Sequence, residues 1–489
     1  MKTRIIATGL VLLLVNALQA QFISEVLEFT PAPGQFINKG PWGMPDNHNT
    51  DVSIVGRLDG AMSLGAFGGY VVFKFAEPVK NHPDNPYGID FVIYGNPLKN
   101  ISTPEVSNRV TWSEPGIVYV MKDDNGNGLP DDTWYELAGS DYFFSSTIKN
   151  YEVTYTNPNR DVATDVPWTD NYENTGFVFV NNFHKQPYYP SNANFPHINE
   201  QSYKLKGTKI QDYVDRTNPS YVTSFGRPWG YADNTLRARY NGLPDNPYTR
   251  GMDIEEEGSG GDAFDIGWAV DTNGNYVNLD EVDFIKVQNG VLADGGWLGE
   301  ISTEITGAFV VSPDETISGE LDMIIIKELP SEIVGTSFQL EAFAYHKGRW
   351  DKDRTINWTS SLGNAYVNSK NQLVFTSSGK VVLTASLADR PEITETVKTV
   401  LVYEDNPSSI ELDQKHSIRL YPNPAASRIF ISGAEYASVE IYSATGNRVL
   451  IKHAYSDNQP LAIAHLSKGI YVVKVKGLNF NKTIRFVKE

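Results

Sequence analysis

Short runs that alternate apolar and polar residues recur along almost the whole chain, separated by residues that favour turns. Gly69-Tyr-Val-Val-Phe-Lys-Phe75, Ile89-Asp-Phe-Val-Ile-Tyr-Gly95, Gly116-Ile-Val-Tyr-Val-Met121, Tyr151-Glu-Val-Thr-Tyr155 and Val282-Asp-Phe-Ile-Lys-Val287 have the length and the β-branched, aromatic make-up of strands. No helical period accompanies them, so residues 21–312 are expected to form a large jelly-roll-like β-sandwich. Between Asn157 and Glu257 the pattern thins into a Pro/Asn/Tyr-rich stretch of the kind that makes long loops.

Two further groups of strands follow. Leu340-Glu-Ala-Phe-Ala-Tyr345, Ile356-Asn-Trp-Thr-Ser-Ser361, Leu373-Val-Phe-Thr376 and Gly379-Lys-Val-Val-Leu-Thr-Ala-Ser386 predict a small sandwich over 313–404, with Trp358 between its sheets. A polar, proline-containing linker covers 405–416. Arg428-Ile-Phe-Ile-Ser432, Val439-Glu-Ile-Tyr-Ser443, Gly469-Ile-Tyr-Val-Val-Lys-Val475 and Lys482-Thr-Ile-Arg-Phe-Val-Lys488 then predict a second small sandwich over 417–489, of about seven strands. The expected fold class is therefore all-β: the large sandwich followed by two small Ig-like β-sandwich domains.

At the N-terminus, Met1-Lys-Thr-Arg4 is basic, Ile5–Val15 is apolar, and Leu18-Gln-Ala20 ends on a small residue. This reads as a secretory signal peptide over 1–20, cleaved before Gln21. No later run approaches the roughly 18 apolar residues of a transmembrane helix. The mature chain is expected to pass through the periplasm to the outside.

The chain has 489 residues and no cysteine, which excludes disulfides, thiolate metal sites, a cysteine nucleophile and a lipid-modified cysteine anchor. Net charge is −18, unevenly spread: 417–489 carries +6 while 21–416 carries −26. An acidic body of this size disfavours nucleic acid and anionic membranes as partners and favours cations.

Candidate chemistry is concentrated in Met121–Leu137. Asp123, Asn125, Asn127, Gly128, Asp131 and Asp132 are spaced D-x-N-x-N-G-x-x-D-D, which throws alternate side-chain oxygens inward around a glycine turn. A hard cation such as Ca²⁺ needs that arrangement, although Asx-rich turns use the same residues without metal. A second acidic group comprises Asp262 and Asp265 around a Gly-rich turn, then Asp271, Asn273 and Asn275 in the same alternating pattern. Turn chemistry accounts for that last set as well as metal does. The run Glu255–Glu257 reads as a solvated charge cluster.

No H-E-x-x-H, G-x-S-x-G or Walker motif is present, and the histidines of the large domain, His48, His82, His184 and His197, are scattered singly. Most tryptophans are expected in cores, Trp112 and Trp297 among them. Trp42, Trp168 and Trp229, set among polar turn residues, are the candidates for exposed stacking platforms, with Arg227 and Tyr231 beside Trp229 as further ligand contacts.

Several phrases resemble known families. The Asp123–Asp132 loop is similar to the calcium loops of thrombospondin type 3 and dockerin repeats, without the EF-hand glutamate, since Trp134 stands at that position. Ser63-Leu-Gly-Ala-Phe-Gly-Gly-Tyr70, Ser113-Glu-Pro-Gly-Ile-Val-Tyr-Val-Met121 and Ala293-Asp-Gly-Gly-Trp-Leu-Gly-Glu-Ile301 resemble uncharacterised surface proteins found near TonB-dependent, vitamin B12-type outer-membrane transporters. That resemblance implies ligand capture and names no catalytic residue. Asn357-Trp-Thr-Ser-Ser361 and the later Gly-x-Val-x-Leu-Thr-Ala strand look like PKD-like or Big-type spacer modules.

Tyr421-Pro-Asn-Pro424, Gly446 and Leu466-x-x-Gly469-Ile-Tyr471, with a Lys-rich terminal strand, look like the type A C-terminal sorting domain of the type IX secretion system. Ala444-Thr445 replace the aspartate usual before the turn glycine. This resemblance implies passage across the outer membrane, removal of the tail by a sorting peptidase, and release or attachment at the surface. Together these readings predict a secreted or surface-displayed, calcium-stabilised protein that binds a cobalamin-like ligand or a glycan. Such a protein could partner a TonB-dependent transporter. The competing expectations are a glycan hydrolase with paired acids drawn from Asp262, Asp265 and Glu255–Glu257, or an adhesin without enzymatic activity.

Overall fold

Strands that are apolar on both faces must be covered on both sides, and the arrangement of the large domain follows from four of them. Phe91–Tyr94 is buried throughout, and Tyr70–Phe75, Gly116–Met121 and Phe284–Asn289 are nearly so. The computed structural model describes residues 22–38, 53–82, 88–97, 112–218, 220–234, 261–311, 320–404, 418–434, 437–443, 447–457, 459–477 and 481–489. The expected signal peptide, Trp42, Glu255–Glu257 and the linker 405–416 lie outside these residues.

An antiparallel six-stranded sheet runs in the order Ile23–Thr30, Tyr70–Phe75, Phe284–Asn289, Gly116–Met121, Tyr135–Leu137, Ala269–Val270. A three-stranded sheet of Asp262–Phe264, Phe91–Tyr94 and Gly307–Val310 covers one face. Val71, Phe73, Val118, Val120, Ile285 and Val287 from the first sheet meet Phe91, Ile93, Phe264 and Ala308 from the second in one core. The expected sandwich is present, and the whole description is all-β apart from short 3₁₀ turns.

The stretch with the thin strand pattern still supplies a sheet of its own. Thr175–Val178, Val166–Asp170, Ile148–Thr156 and Ser202–Lys209 pair antiparallel over an aromatic core of Phe67, Tyr151, Tyr155, Trp168, Tyr188 and Tyr189. Gln288 ties it to the main sheet, its Nε2 donating to Gly68 O at 2.8 Å and Lys206 O at 3.1 Å.

In the middle region, Gly379–Leu387 alternates strictly: Val381, Leu383, Ala385 and Leu387 point inward while Lys380 and the residues between lie more open. It pairs with Ile356–Ser360 and with Thr394–Tyr403, which in turn pairs parallel to Glu332–Gly335. Trp358 is half-buried against the cores formed there, as its sequence context suggested. The sheet of Asp322–Ile326, Ala342–His346 and Arg349–Trp350 turns instead towards the large domain. Tyr345 is fully buried in the large domain's core, 4.8 Å edge-on to Trp229, and its hydroxyl donates to Ser140 O at 3.2 Å.

The C-terminal region has seven strands in a three-stranded and a four-stranded sheet over a core that includes Ile429, Ile431, Val439, Ile441, Val473, Val475 and Phe486. Its basic residues meet the acidic body: Arg428 pairs with Asp294 at 3.6 Å, and Lys452 lies 5.0 Å over the ring of Trp168.

Candidate functional site: an aromatic cleft with an acidic floor

Three carboxylates far apart in sequence meet at one end of the large sandwich. Glu114 precedes the Pro115-Gly116 start of a central strand, Asp233 lies on the segment bridged to Gly116 through Ala232, and Glu304 begins a two-residue strand paired with Met62–Ser63. One oxygen from each lies within 4.8 Å of the others.

Backbone amides fix these side chains. Oδ1 and Oδ2 of Asp233 accept from the N–H of Asn96 at 2.8 Å and of Glu304 at 2.9 Å. Oε1 of Glu114 accepts from Ser302 N at 2.9 Å, and its carbonyl accepts from Thr303 Oγ1 at 2.8 Å. Asp233 itself has φ 57°, a left-handed conformation that aspartate tolerates better than most residues. Gly95 is required alongside, because a Cβ there would lie 2.1 Å from Asp233 Oδ1.

Burial pushes all three carboxyls above the usual range, and their mutual repulsion adds to it for Glu114 and Asp233. Carboxyls this close and this buried resist ionising together, which favours a proton held on the cluster. Nearby Glu300 is pushed up to about 8 by burial, although its Oε1 accepts from Gln35 N at 2.7 Å.

Glu114 and Glu304 open into a cleft of about 490 Å³ whose walls include Phe36, Trp112, Phe183, His184 and Trp297. Trp112 stands edge-on to Trp297 at 5.8 Å and to Tyr221 at 5.7 Å, while Tyr221 stacks near-parallel to Trp297 at 6.4 Å. Trp297 is 38% exposed and Phe183 63%, so both rings present area to solvent at the cleft. Across it, Phe36 meets His184 edge-on at 4.5 Å. Rings around a polar floor suit a ligand that has both an apolar face and a polar group.

The residues picked from sequence as stacking platforms are elsewhere. Trp168 is buried 6% exposed in the four-stranded sheet's core, and Trp229 and Tyr231 are 1% and 2% exposed. Arg227 is also internal, ion-paired with Asp141 at 3.2 Å and 3.1 Å from the ring centre of Tyr213. Trp168 lies within the strand Val166–Asp170, and Arg227, Trp229 and Tyr231 lie in or beside a bend that the fold buries, so none of the four forms an exposed platform. Trp112 and Trp297, expected in cores, line the cleft instead.

The acidic candidates separate into three places. Asp262 is buried beside the floor, its Oδ2 accepting from Asn234 N at 2.9 Å. Asp265 caps the 3₁₀ turn Ile266–Trp268, accepting from Gly267 N at 2.5 Å, and burial with the neighbouring Asp90 pushes its carboxyl well up. Asp271 closes an exposed turn, accepting from Asn273 N at 2.8 Å and Asn275 N at 2.9 Å. These five residues do not form one cage.

In the Asp123 loop, by contrast, the expected residues do converge. Asp131 receives the side-chain amides of Asn125 at 3.1 Å and Asn127 at 3.0 Å, and Asp123 accepts from Asn127 N and Gly128 N at 3.1 and 2.8 Å. Asp132 reaches Asn125 N at 3.5 Å. Hydrogen bonds from both asparagines hold the Asp131 carboxyl below its usual value. Oδ1 of Asn125 accepts from Asn127 N at 3.0 Å and Oδ1 of Asn127 from Leu129 N at 2.7 Å, so Asx turns close the loop and Asp123 and Asp131 are the carboxylates left to offer a hard cation.

Residues 419–489 match the secretion system C-terminal sorting domain. The chain thus carries a type IX sorting domain and is a secreted or surface-delivered protein. No curated protein matches the sequence. Similar solved structures are multi-domain immunoglobulin arrays. The titin domains Z1Z2 in complex with telethonin are 11% identical, over 35% of this chain and 97% of that one, with a TM-score of 0.14. The N-terminal four Ig domains of Dscam1 isoform 8.4 are 12% identical over 35% of this chain, which spans only 47% of theirs, with a TM-score of 0.15. Domains 3–5 of Drosophila OTK give 10% identity, 44% and 82% coverage and a TM-score of 0.16. Superpositions this loose carry no argument. Among the described residues no helix is long and apolar enough to cross a membrane.

Proposed function

We propose that this protein is delivered to the cell surface as a binding protein and captures a small-molecule or glycan ligand in the cleft between Trp112, Trp297 and Phe183. The observation that carries this reading is the juxtaposition of exposed rings with the Glu114–Glu304 floor in a 490 Å³ opening. A cobalamin-like corrin or a sugar ring has the flat face and polar rim that such walls accommodate. A TonB-dependent transporter is the partner that would take the ligand inward, and the Ig-like module serves as a spacer.

Hydrolysis fits this floor less well. A glycosidase holds its two carboxyls about 5–5.5 or 6.5–9.5 Å apart, with a substrate or water between them. Oxygens of Glu114 and Glu304 lie within 4.8 Å of each other, short of either spacing. Asp262 and Asp265, two of the acids suggested by sequence, accept from backbone amides, and Glu255–Glu257 lie outside the described residues. An adhesin would need no cleft of this kind.

Calcium is proposed as a structural ion in the Asp123–Asp132 loop, where the carboxylates of Asp123 and Asp131 would supply oxygens and stiffen the connection between two central strands. The capture reading is tested by titrating the full chain with cobalamin and a panel of neutral oligosaccharides, following tryptophan fluorescence. Saturable binding by at least one, weakened about tenfold or more in Trp297→Ala, is expected. Binding that is indifferent to Trp297→Ala and Trp112→Ala would refute the site.

A further inference from the structure

The capture reading leaves open what the acidic floor selects, and its surroundings narrow the choice. Glu114 and Glu304 face the cleft with Asn96 and Gln35 as polar neighbours. Among the described residues no lysine or arginine forms an ion pair with Glu114, Asp233 or Glu304, and the one cationic-capable side chain on the wall is His184. Burial lowers the basicity of that imidazole, so it adds no positive charge at neutral pH.

The floor is thus left without a cationic partner, at the bottom of a cleft whose walls include aromatic rings. An ammonium group satisfies both features. Its positive charge replaces a proton held on the carboxyl cluster, its N–H groups donate to the oxygens of Glu114 and Glu304, and the carbon frame attached to it lies against Trp297 and Trp112. The aromatic faces add attraction for the cation itself. The strongly acidic body raises the local concentration of cations before they enter.

We infer that the cleft selects ring-bearing ligands that carry an amino group, with the ammonium seated between Glu114 and Glu304 and the ring stacked on Trp297. This rests on the capture reading and adds the ligand's charge class to it. A neutral sugar or alcohol of the same shape would bring no charge to the floor and gain only the stacking.

The test uses the full chain and two probes of matched shape, 2-phenylethylamine and 2-phenylethanol, in titration calorimetry at neutral pH. The amine is expected to bind about tenfold more tightly, with release of a proton seen as a dependence of the apparent enthalpy on the buffer's ionisation heat. Glu304→Gln and Glu114→Gln should each remove the preference for the amine over the alcohol. Trp297→Ala should weaken both probes. Thermal melts identify any variant that fails to fold, and the two single glutamate variants serve as independent readings.

Equal affinity for the two probes, or a preference that survives both glutamine variants, would overturn the inference. So would loss of amine binding on chelation with EDTA, because a metal ion would then hold the floor. Failure of both probes to bind also overturns it. In each case Trp297-dependent binding of a neutral oligosaccharide or of cobalamin would leave the capture reading standing.

Discussion

The backbone N–H of Glu304 donates to Oδ2 of Asp233 at 2.9 Å, so the residue that supplies one carboxylate of the floor also holds another in place. Because the second oxygen of Asp233 takes Asn96 N, one buried side chain joins three otherwise separate segments. Asp233→Asn would turn a donor towards one of these two amides. An unsatisfied buried donor costs about 1–3 kcal/mol, and a loss of that size is expected in urea denaturation. A loss no greater than that of an exposed aspartate, such as Asp161→Asn, would show that the junction is not held this way.

Glu300 gives stability a pH dependence of defined sign. Its carboxyl is raised from 4.5 to about 8 by burial, so the folded chain binds a proton that the unfolded chain releases. The contribution is fully present below about 4.5 and is lost as pH rises through about 8. Melting temperature should therefore fall between these limits, and Glu300→Gln should flatten that part of the profile. An unchanged profile in the variant would assign the slope to other groups, such as the carboxyls of Glu114, Asp233 and Glu304.

Removal of metal tests the Asp123 loop. Only the folded loop brings its oxygens together, so a bound ion stabilises by mass action. The melting temperature should drop in EDTA and recover with Ca²⁺, and Asp131→Ala should abolish the recovery. A melt insensitive to both additions, in protein shown by elemental analysis to be metal-free at the start, would leave the loop as an Asx-stabilised turn.

Tyr345 is fully buried between the middle region and the large domain. Tyr345→Ala should cost about 3–5 kcal/mol, in the range of buried aromatic truncations. Tyr345→Phe, which loses the 3.2 Å bond to Ser140 O, should cost about 1 kcal/mol. If the alanine variant lost less than the phenylalanine variant is expected to, the two regions would not share a core.

The alternation of apolar and polar residues was enough to determine an all-β chain, because a strand's side chains change face at every residue and each run carries that signature itself. It was also enough to mark the C-terminal region as a separate sandwich, and the Tyr421-Pro-Asn-Pro424 and Gly469-Ile-Tyr471 phrases identified it as a sorting domain. The Asp123 loop was legible for the same reason: its oxygens come from neighbouring positions of one turn.

The cleft was not legible, since Glu114, Asp233 and Glu304 reach one place only through strand pairing and a backbone bridge between distant segments. Local context pointed the wrong way for the aromatics as well. Trp229 sits among turn residues and is buried against Tyr345 from another region, whereas Trp297, in an equally glycine-rich stretch, is left partly open beside Trp112. Which rings face solvent and which acids meet depend on what the rest of the chain places against them, and only the tertiary structure decides that.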